Sequence, residues 1–379
     1  MFLDKEKYTT DKLLPGLSAI LQQKSLSQLE SGDGRELVQY FKHYANPGLL
    51  VGTQWGGAAA GLTAAVRIHR YVGSLSPSLA IMMTMHNHTT YCLSTAMDAS
   101  LAAKDRVLSQ VAMDKLVFCS GFAEARPGAN ILSSSVSCVP GSAGFVINGS
   151  KKPCTMADYA DIALIGIANP LADDATARGL LIVEDMRAEN IRKVPFWPAS
   201  ILKATSSNEL VFTDFAVAKD NVVLMEAGNA PSQAKQAIET TELCGLSSFQ
   251  LLIAASYLGV ASRLAASCFA ARPGNATDVS QLAIELESAA LALEGAAALL
   301  DAQPPSEELV ALAICVRTLV AQCIDRANRL ALIGLGGMKY LATEDLRYLL
   351  QVSQCLNFHP LSRNETVELI QHELCQPAV

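Results

Sequence analysis

The chain is 379 residues long, with 50% hydrophobic and 17% charged residues and a formal net charge of −7. That length calls for roughly two or three domains, and the apolar share supplies core enough to order nearly all of them. The acidic balance offers no field to draw in nucleic acid or an anionic membrane, so neither is expected as a partner.

Ten cysteines run from Cys92 to Cys375 with no C-x-x-C pair and no neighbouring histidine pattern, so they read as free thiols. The first residues, Met1-Phe2-Leu3-Asp4-Lys5-Glu6-Lys7, are charged where a signal peptide carries an apolar core, and no uninterrupted run of about 18 apolar residues follows. A cytoplasmic location is the expectation, in keeping with reduced thiols.

From residue 12 to 116 apolar residues recur at helical spacing in blocks broken at Ser31-Gly32-Asp33-Gly34 and Asn46-Pro47-Gly48, which predicts an α-helical domain over 1–116. Between 117 and 225 short apolar runs such as Gly144-Phe145-Val146-Ile147 and Ile162-Ala163-Leu164-Ile165 alternate with turn clusters, which predicts a β domain. From 226 to 379 the chain is Ala/Leu-rich again, with long breaker-poor stretches over 244–271, 280–300 and 306–332 that predict packed helices. There is no β-α-β alternation, no G-x-G-x-x-G and no Walker-type loop, so a Rossmann site is disfavoured.

Several local motifs stand in a definite order along this plan. Trp55-Gly56-Gly57 precedes Gly61, and Gly121-Phe122-Ala123-Glu124-Ala125 runs on to Gly128-Ala129-Asn130. Ile147-Asn148-Gly149-Ser150-Lys151 leads to Thr155 and Ala160-Asp161, followed by Leu210-Val211-Phe212-Thr213-Asp214-Phe215-Ala216-Val217, Tyr257-Leu258-Gly259, the pair Arg272 and Gln281, and Leu335-Gly336-Gly337-Met338-Lys339-Tyr340. Together they resemble the acyl-CoA dehydrogenase superfamily over nearly the whole chain. The resemblance implies an α+β fold: an N-terminal helical domain, a middle β-barrel or sandwich, and a C-terminal four-helix bundle, assembled as a homodimer or homotetramer. It implies FAD as cofactor, with Phe122, Ala123, Glu124, Ala129 and Thr155 on the flavin face. Arg272 and Gln281 would flank a loop that reaches the cofactor across a subunit interface, Gly336 and Gly337 would give close backbone approach to the dinucleotide, and Tyr257-Leu258-Gly259 would open a long helix. A Gly-Gly pair in a helical region costs about 1 kcal/mol per glycine against alanine, which calls for such a compensating approach.

The departures from the family pattern all fall on the flavin face. Ala123 and Ala129 replace hydroxyl residues, Pro153 replaces a tryptophan, and Phe358-His359-Pro360 occupies the place of the family's Tyr-Glu-Gly, so that His359 stands where the proton-abstracting glutamate belongs. The other familiar base position reads Phe249-Gln250. Dehydrogenation removes a proton alpha to a thioester carbonyl while hydride leaves for the flavin, and histidine, with an ordinary pKa of about 6.5, is one group able to accept it. A histidine followed by proline at this place also resembles the flavin monooxygenases built on the same fold. Three readings therefore stand side by side: an FAD-dependent oxidoreductase acting on an acyl-CoA or acyl-carrier-protein thioester with His359 in the base position, a flavin monooxygenase fed by a flavin reductase, and a non-catalytic scaffold. Glu239 or Glu242 could serve as a relocated base. His86 and His88 have no evident third ligand and read as helix-face or pocket-lining groups rather than a metal pair.

Overall fold

A computed structural model describes residues 2–126, 130–170, 172, 177–225, 232–271, 275–361 and 364–375. The N-terminal part holds α1 (Asp4–Leu13), α2 (Leu17–Gln22), α3 (Leu26–Glu30), α4 (Arg35–Tyr44), α5 (Gly61–Leu75), α6 (Pro77–Thr95) and α7 (Lys104–Met113). Only Ser76 separates α5 from α6; its hydroxyl caps Leu79 N–H, and Pro77 sits in the first turn, where a missing amide hydrogen costs nothing. Nearly every side chain of α6 is buried, because it is packed between the other two parts of the molecule.

Strands β1 (Phe118–Gly121), β2 (Ser137–Gly141), β3 (Gly144–Cys154), β4 (Ile162–Ala168), β5 (Arg178–Val183), β6 (Ile191–Val194), β7 (Asn208–Ala218) and β8 (Val222–Leu224) form one sheet in the order β6-β7-β3-β2-β4-β5-β8, with β1 parallel to β4. The middle part is thus a single eight-stranded sheet. The motif around Asn148 has a local reason for each residue. Asn148 exchanges hydrogen bonds with Asp214 across the β3–β7 ladder, and Gly149 takes a φ of +133° at a register shift where an added Cβ would lie 2.9 Å from Val136 Cα. Asp161, at the motif's end, accepts from Val117 N–H at 2.9 Å and pairs with Lys42 of α4 at 2.7 Å, joining the sheet to the helices before it.

The C-terminal part comprises α8 (Gln233–Ala271), α9 (Ala276–Ala302), α10 (Glu307–Leu335), α11 (Gly337–Ala342), α12 (Glu344–Ser353) and α13 (Val367–Leu374). Tyr257-Leu258-Gly259 lies in the middle of α8 and not at a helix start, since no proline interrupts the 39 residues of this helix. By length and composition α8 could cross a bilayer, yet 83% of its most apolar window is buried inside the protein, so its hydropathy belongs to core packing. Gly259 faces Gly73 of α5 so closely that a Cβ on Gly259 would come within 2.2 Å of Arg70 O. Beside this crossing the buried Arg70 guanidinium pairs with Glu6 and Glu287 and donates to Ser262, tying α1, α5, α8 and α9 together.

Candidate active site

A cavity of about 830 Å³ opens where the three parts meet. Side chains on one face of α6, Ile81, Met85, His88 and Cys92, look across to Thr241, Gly245, Leu246 and Phe249 of α8, both sets at helical spacing. The sheet supplies Ser120, Phe122, Ala123, Glu124, Pro153, Thr155 and Ser207, and the segment after α12 supplies Phe358, His359 and Pro360. Of the sequence candidates, Phe122, Ala123, Glu124, Thr155 and His359 are therefore brought together.

His359 Nε2 lies 2.9 Å from the hydroxyl of Tyr257, a fully buried residue of α8. Burial, helped by the Arg317 guanidinium, pushes the imidazole down to about 4, and burial pushes the Tyr257 phenol well up. Both groups are neutral at pH 7, and the tautomer of the imidazole sets which of them donates in this hydrogen bond. The backbone of this turn is fixed from behind: Arg317 donates to the carbonyls of His359, Pro360 and Leu361, and Gln250 Nε2 donates to Pro360 O at 3.1 Å. Gln250, at the second position where a base was sought, is thus a support for the histidine turn.

His88, 7% exposed, sets Nε2 3.1 Å from Ser120 Oγ and packs edge-on against Phe249 at 5.4 Å, which in turn lies 6.0 Å from His359. Burial pushes it down to about 3. His86 points elsewhere: Nδ1 accepts from Phe118 N–H and Nε2 donates to Pro47 O, so both nitrogens serve the backbone. Two cavity carboxylates are engaged. Burial works against the Glu124 anion, but Lys151 at 2.7 Å and the Ser135 hydroxyl and amide hold it ionised, down to about 2. Glu242 takes both its oxygens to Arg178, while burial pushes its carboxyl up. Lys151 also donates to Phe122 O at 3.3 Å, which anchors the backbone from which Ala123 and Glu124 face the cavity.

No protein-family model matches the chain. Over 369 residues it is 32% identical to isobutylamine N-hydroxylase from Streptomyces viridifaciens, covering 96% of this chain and 95% of that protein. Its fold matches KijD3 in complex with FMN and a dTDP-linked amino-keto sugar, with TM-score 0.80 and 18% identity over 97% of this chain and 94% of that one. It also matches glutaryl-coenzyme A dehydrogenase in its glutaryl-CoA complex, with TM-score 0.79 and 16% identity over 98% and 95%. The chain belongs to the acyl-CoA dehydrogenase superfamily.

Members of that superfamily are flavin-dependent enzymes, and the cavity fits a flat ring with a polar edge. Phe122, Pro153 and the half-buried Trp197 present apolar surface, while the hydroxyls of Thr155, Ser207 and Thr205 form a chain at 3.1 and 2.8 Å along one side. Trp197 comes from another segment than Pro153 and is held by its Nε1 donating to Ile201 O at 2.8 Å. Of the remaining superfamily positions, Gly336, Gly337 and Gln281 lie apart from this cavity. Gly336, with φ +78°, makes the break between α10 and α11, nothing among the described residues stands within 4 Å of a Cβ placed on it or on Gly337, and Gln281 is exposed and donates to Glu285. Ala129 and Arg272 lie outside the described residues. Tyr257, Ser120, Ser207 and Trp197 went unnoticed as site residues in the sequence because each is an ordinary residue until the fold turns it to the cavity; only His88 carried a signal, as a histidine within an apolar helix.

Proposed function

We propose that this protein is a flavin-dependent monooxygenase that N-hydroxylates a small primary aliphatic amine. The observation that carries the reading is the neutral His359–Tyr257 pair at the place where a thioester dehydrogenase keeps its carboxylate. An imidazole whose Nε2 is already engaged by the Tyr257 hydroxyl and whose pKa is about 4 is a poor base for a carbon acid. The full-length similarity to an amine N-hydroxylase supports the substrate class.

In this reading the hydroxyls of Thr155 and Ser207 and the backbone from Phe122 to Glu124 hold the flavin ring, with FAD the form the family resemblance implies. When bound, reduced flavin supplies the two electrons by which dioxygen gives one atom to the amine and one to water. Met85, Phe249 and Phe122 exclude bulk water, which keeps the amine uncharged and its lone pair free, since the desolvation that lowers the histidines acts on an alkylammonium in the same sense. A separate flavin reductase is the partner this requires. The proposal extends to a homo-oligomer, supported by the exposed Ile284, Leu291 and Leu299 along α9.

The test supplies the purified protein with a flavin reductase, NADH, air, FAD or FMN, and a panel of primary amines that includes isobutylamine. Formation of the matching hydroxylamine, identified by mass, is the expected result. Oxygen uptake without hydroxylamine from any amine would overturn the reading, and anaerobic bleaching of bound flavin by butyryl-CoA would put a thioester oxidoreductase in its place.

A further inference from the structure

The segment that brings Trp197, Leu202, Thr205 and Ser207 to the cavity is gripped from outside it. Leu202 has a left-handed backbone, φ +56°, and so has Ser206, φ +50°, a conformation that side chains other than glycine adopt at a cost. The far end of this turn is tied to the chain after β3, where Met156 and Ala157 N–H donate to the Thr205 and Ser206 carbonyls at 2.9 and 3.1 Å. At the near end the Leu202 amide has one acceptor among the described residues, the hydroxyl of Tyr348 on α12, at 3.3 Å. That hydroxyl donates to Glu30 at 2.6 Å, and neither Tyr348 nor Glu30 lines the cavity. Glu30 is 4% exposed and is met by hydroxyls and an amide instead of a cation: Ser76 Oγ at 2.7 Å, Ser78 Oγ at 2.5 Å and Ser78 N–H at 3.2 Å, at the positive end of α6, besides Tyr348. The break after α3 serves the same contact. Gly34, four residues beyond Glu30, has φ +94° and stands so close to the turn that a Cβ there would meet Ala204 O at 2.2 Å.

We propose that Tyr348, oriented by Glu30, is a positioning residue for the flavin site: it holds the Leu202 turn, and with it the wall from Trp197 to Ser207, against the α12 segment that leads to His359. The inference rests on the flavin reading of the cavity and deepens it. A phenol has one proton to give; Tyr348 gives it to Glu30, which leaves its oxygen free to accept from Leu202 N–H. From Leu202 the hold passes along printed contacts to the cavity, since Thr205 Oγ1 donates to Leu202 O at 2.7 Å and lies 2.8 Å from Ser207 Oγ, which lies 3.1 Å from Thr155 Oγ1. Trp197 belongs to the same unit through its bond to Ile201 O, the residue before Leu202. In the other direction α12 runs through the turn Gln354–Phe358 to His359. Tyr348 therefore joins the two segments that face each other across the cavity. Without its hydroxyl the strained Leu202 is free to relax, and flavin can bind only the fraction of molecules in which the turn is restored; a fraction of about one fifth weakens binding about fivefold.

The chain has two tryptophans, so a Trp55→Phe background leaves Trp197 as the single indole and a local reporter of the turn. In that background, before any flavin is added, Tyr348→Phe is expected to shift the Trp197 emission to the red and lower its anisotropy, which a loss of global stability alone does not do to a folded protein. Its Kd for FAD reduced under argon, measured by ultrafiltration, should rise about fivefold or more. Glu30→Gln should move both readings in the same direction, and the double variant should be no worse than the larger single change, because both act through one hydroxyl. A smaller rise in Kd for Tyr348→Phe, an unmoved Trp197 emission, or effects that add in the double variant overturn the assignment. In the wild type the Leu202 amide should exchange hydrogen more slowly than in the unfolded chain, a reading that needs no variant to fold; exchange at the unfolded rate also overturns it. A wild type that binds FAD while failing these tests sinks the role of Tyr348 alone, whereas one that retains neither oxidised nor reduced FAD sinks the flavin reading of the cavity and this inference with it.

Discussion

Lys151 shows how a single residue of the site does two jobs. It is 1% exposed, pairs with Glu124, and holds the carbonyl of Phe122, so the charge that fixes the carboxylate also fixes the backbone of the cavity wall. Burial pushes its ammonium down while Glu124 pushes it up, and Glu124 itself stays ionised. Breaking a buried pair costs about 3–5 kcal/mol when the remaining charge has no other partner, but Glu124 also holds the exposed Arg126 at 2.7 Å. Lys151→Met is therefore expected to lose less than that in urea unfolding and to bind flavin more weakly, whereas the double variant Lys151→Met/Glu124→Gln should recover part of the stability because the buried carboxylate is gone. An equal loss in the single and double variants would show that the packing of the methylene stem, and not the charge, matters here.

At the scale of elements, the contact between α5 and α8 decides how the cavity is framed. A Cβ on Gly73 would approach Ser256 O to 2.2 Å and one on Gly259 would approach Arg70 O to 2.2 Å, so the two helix backbones touch. Alanine favours an isolated helix over glycine by about 1 kcal/mol, but here it has to push the helices apart. Overpacking of this kind costs about 1–3 kcal/mol or more. Gly259→Ala should accordingly lower the denaturant midpoint despite its better helix propensity, and a rise in the midpoint would mean that the helices separate freely. The same crossing places Tyr257, two residues before Gly259, where it meets His359, so a strained crossing should also disturb that pair.

For the molecule as a whole, four desolvated histidines, three of them buried and His359 half-buried, set a pH dependence. Burial lowers His69 and His88 to about 3 and His86 and His359 to about 4, against an unfolded value of about 6.5. Below pH 6.5 the unfolded chain binds protons that the folded chain refuses, so the stability these residues contribute is complete above 6.5 and is lost as the pH falls toward 4 and then 3. Each contributes a slope of up to about 1.4 kcal/mol per pH unit in that window. Burial raises Glu30 and Glu242, which act in the opposite sense above their ordinary range, but they are two against four. The unfolding midpoint in urea should fall between pH 7 and pH 5, and a midpoint that stays level or rises would show that the histidines are solvated.

What the sequence by itself determined was the plan. The change of texture from helix-period blocks to short apolar runs and back again made the α-β-α order legible, because hydrophobic periodicity is a local property. The motif from Asn148 to Asp161 was legible for a like reason: Gly149 needs its positive φ, Lys151 its buried partner, and Asp161 the amide at the start of β1, and each demand fixes a residue type in the chain. The tertiary structure decided which residues meet. His88, Ser120, Trp197, Tyr257 and His359 come from five separate segments, and nothing in the spacing of one reports on another. It also decided protonation, since burial at the junction of the three parts is what makes His88 and His359 neutral. A sequence reports that a histidine is present; whether it is a base, a donor or an acceptor depends on the solvent excluded around it, and that is a property of packing.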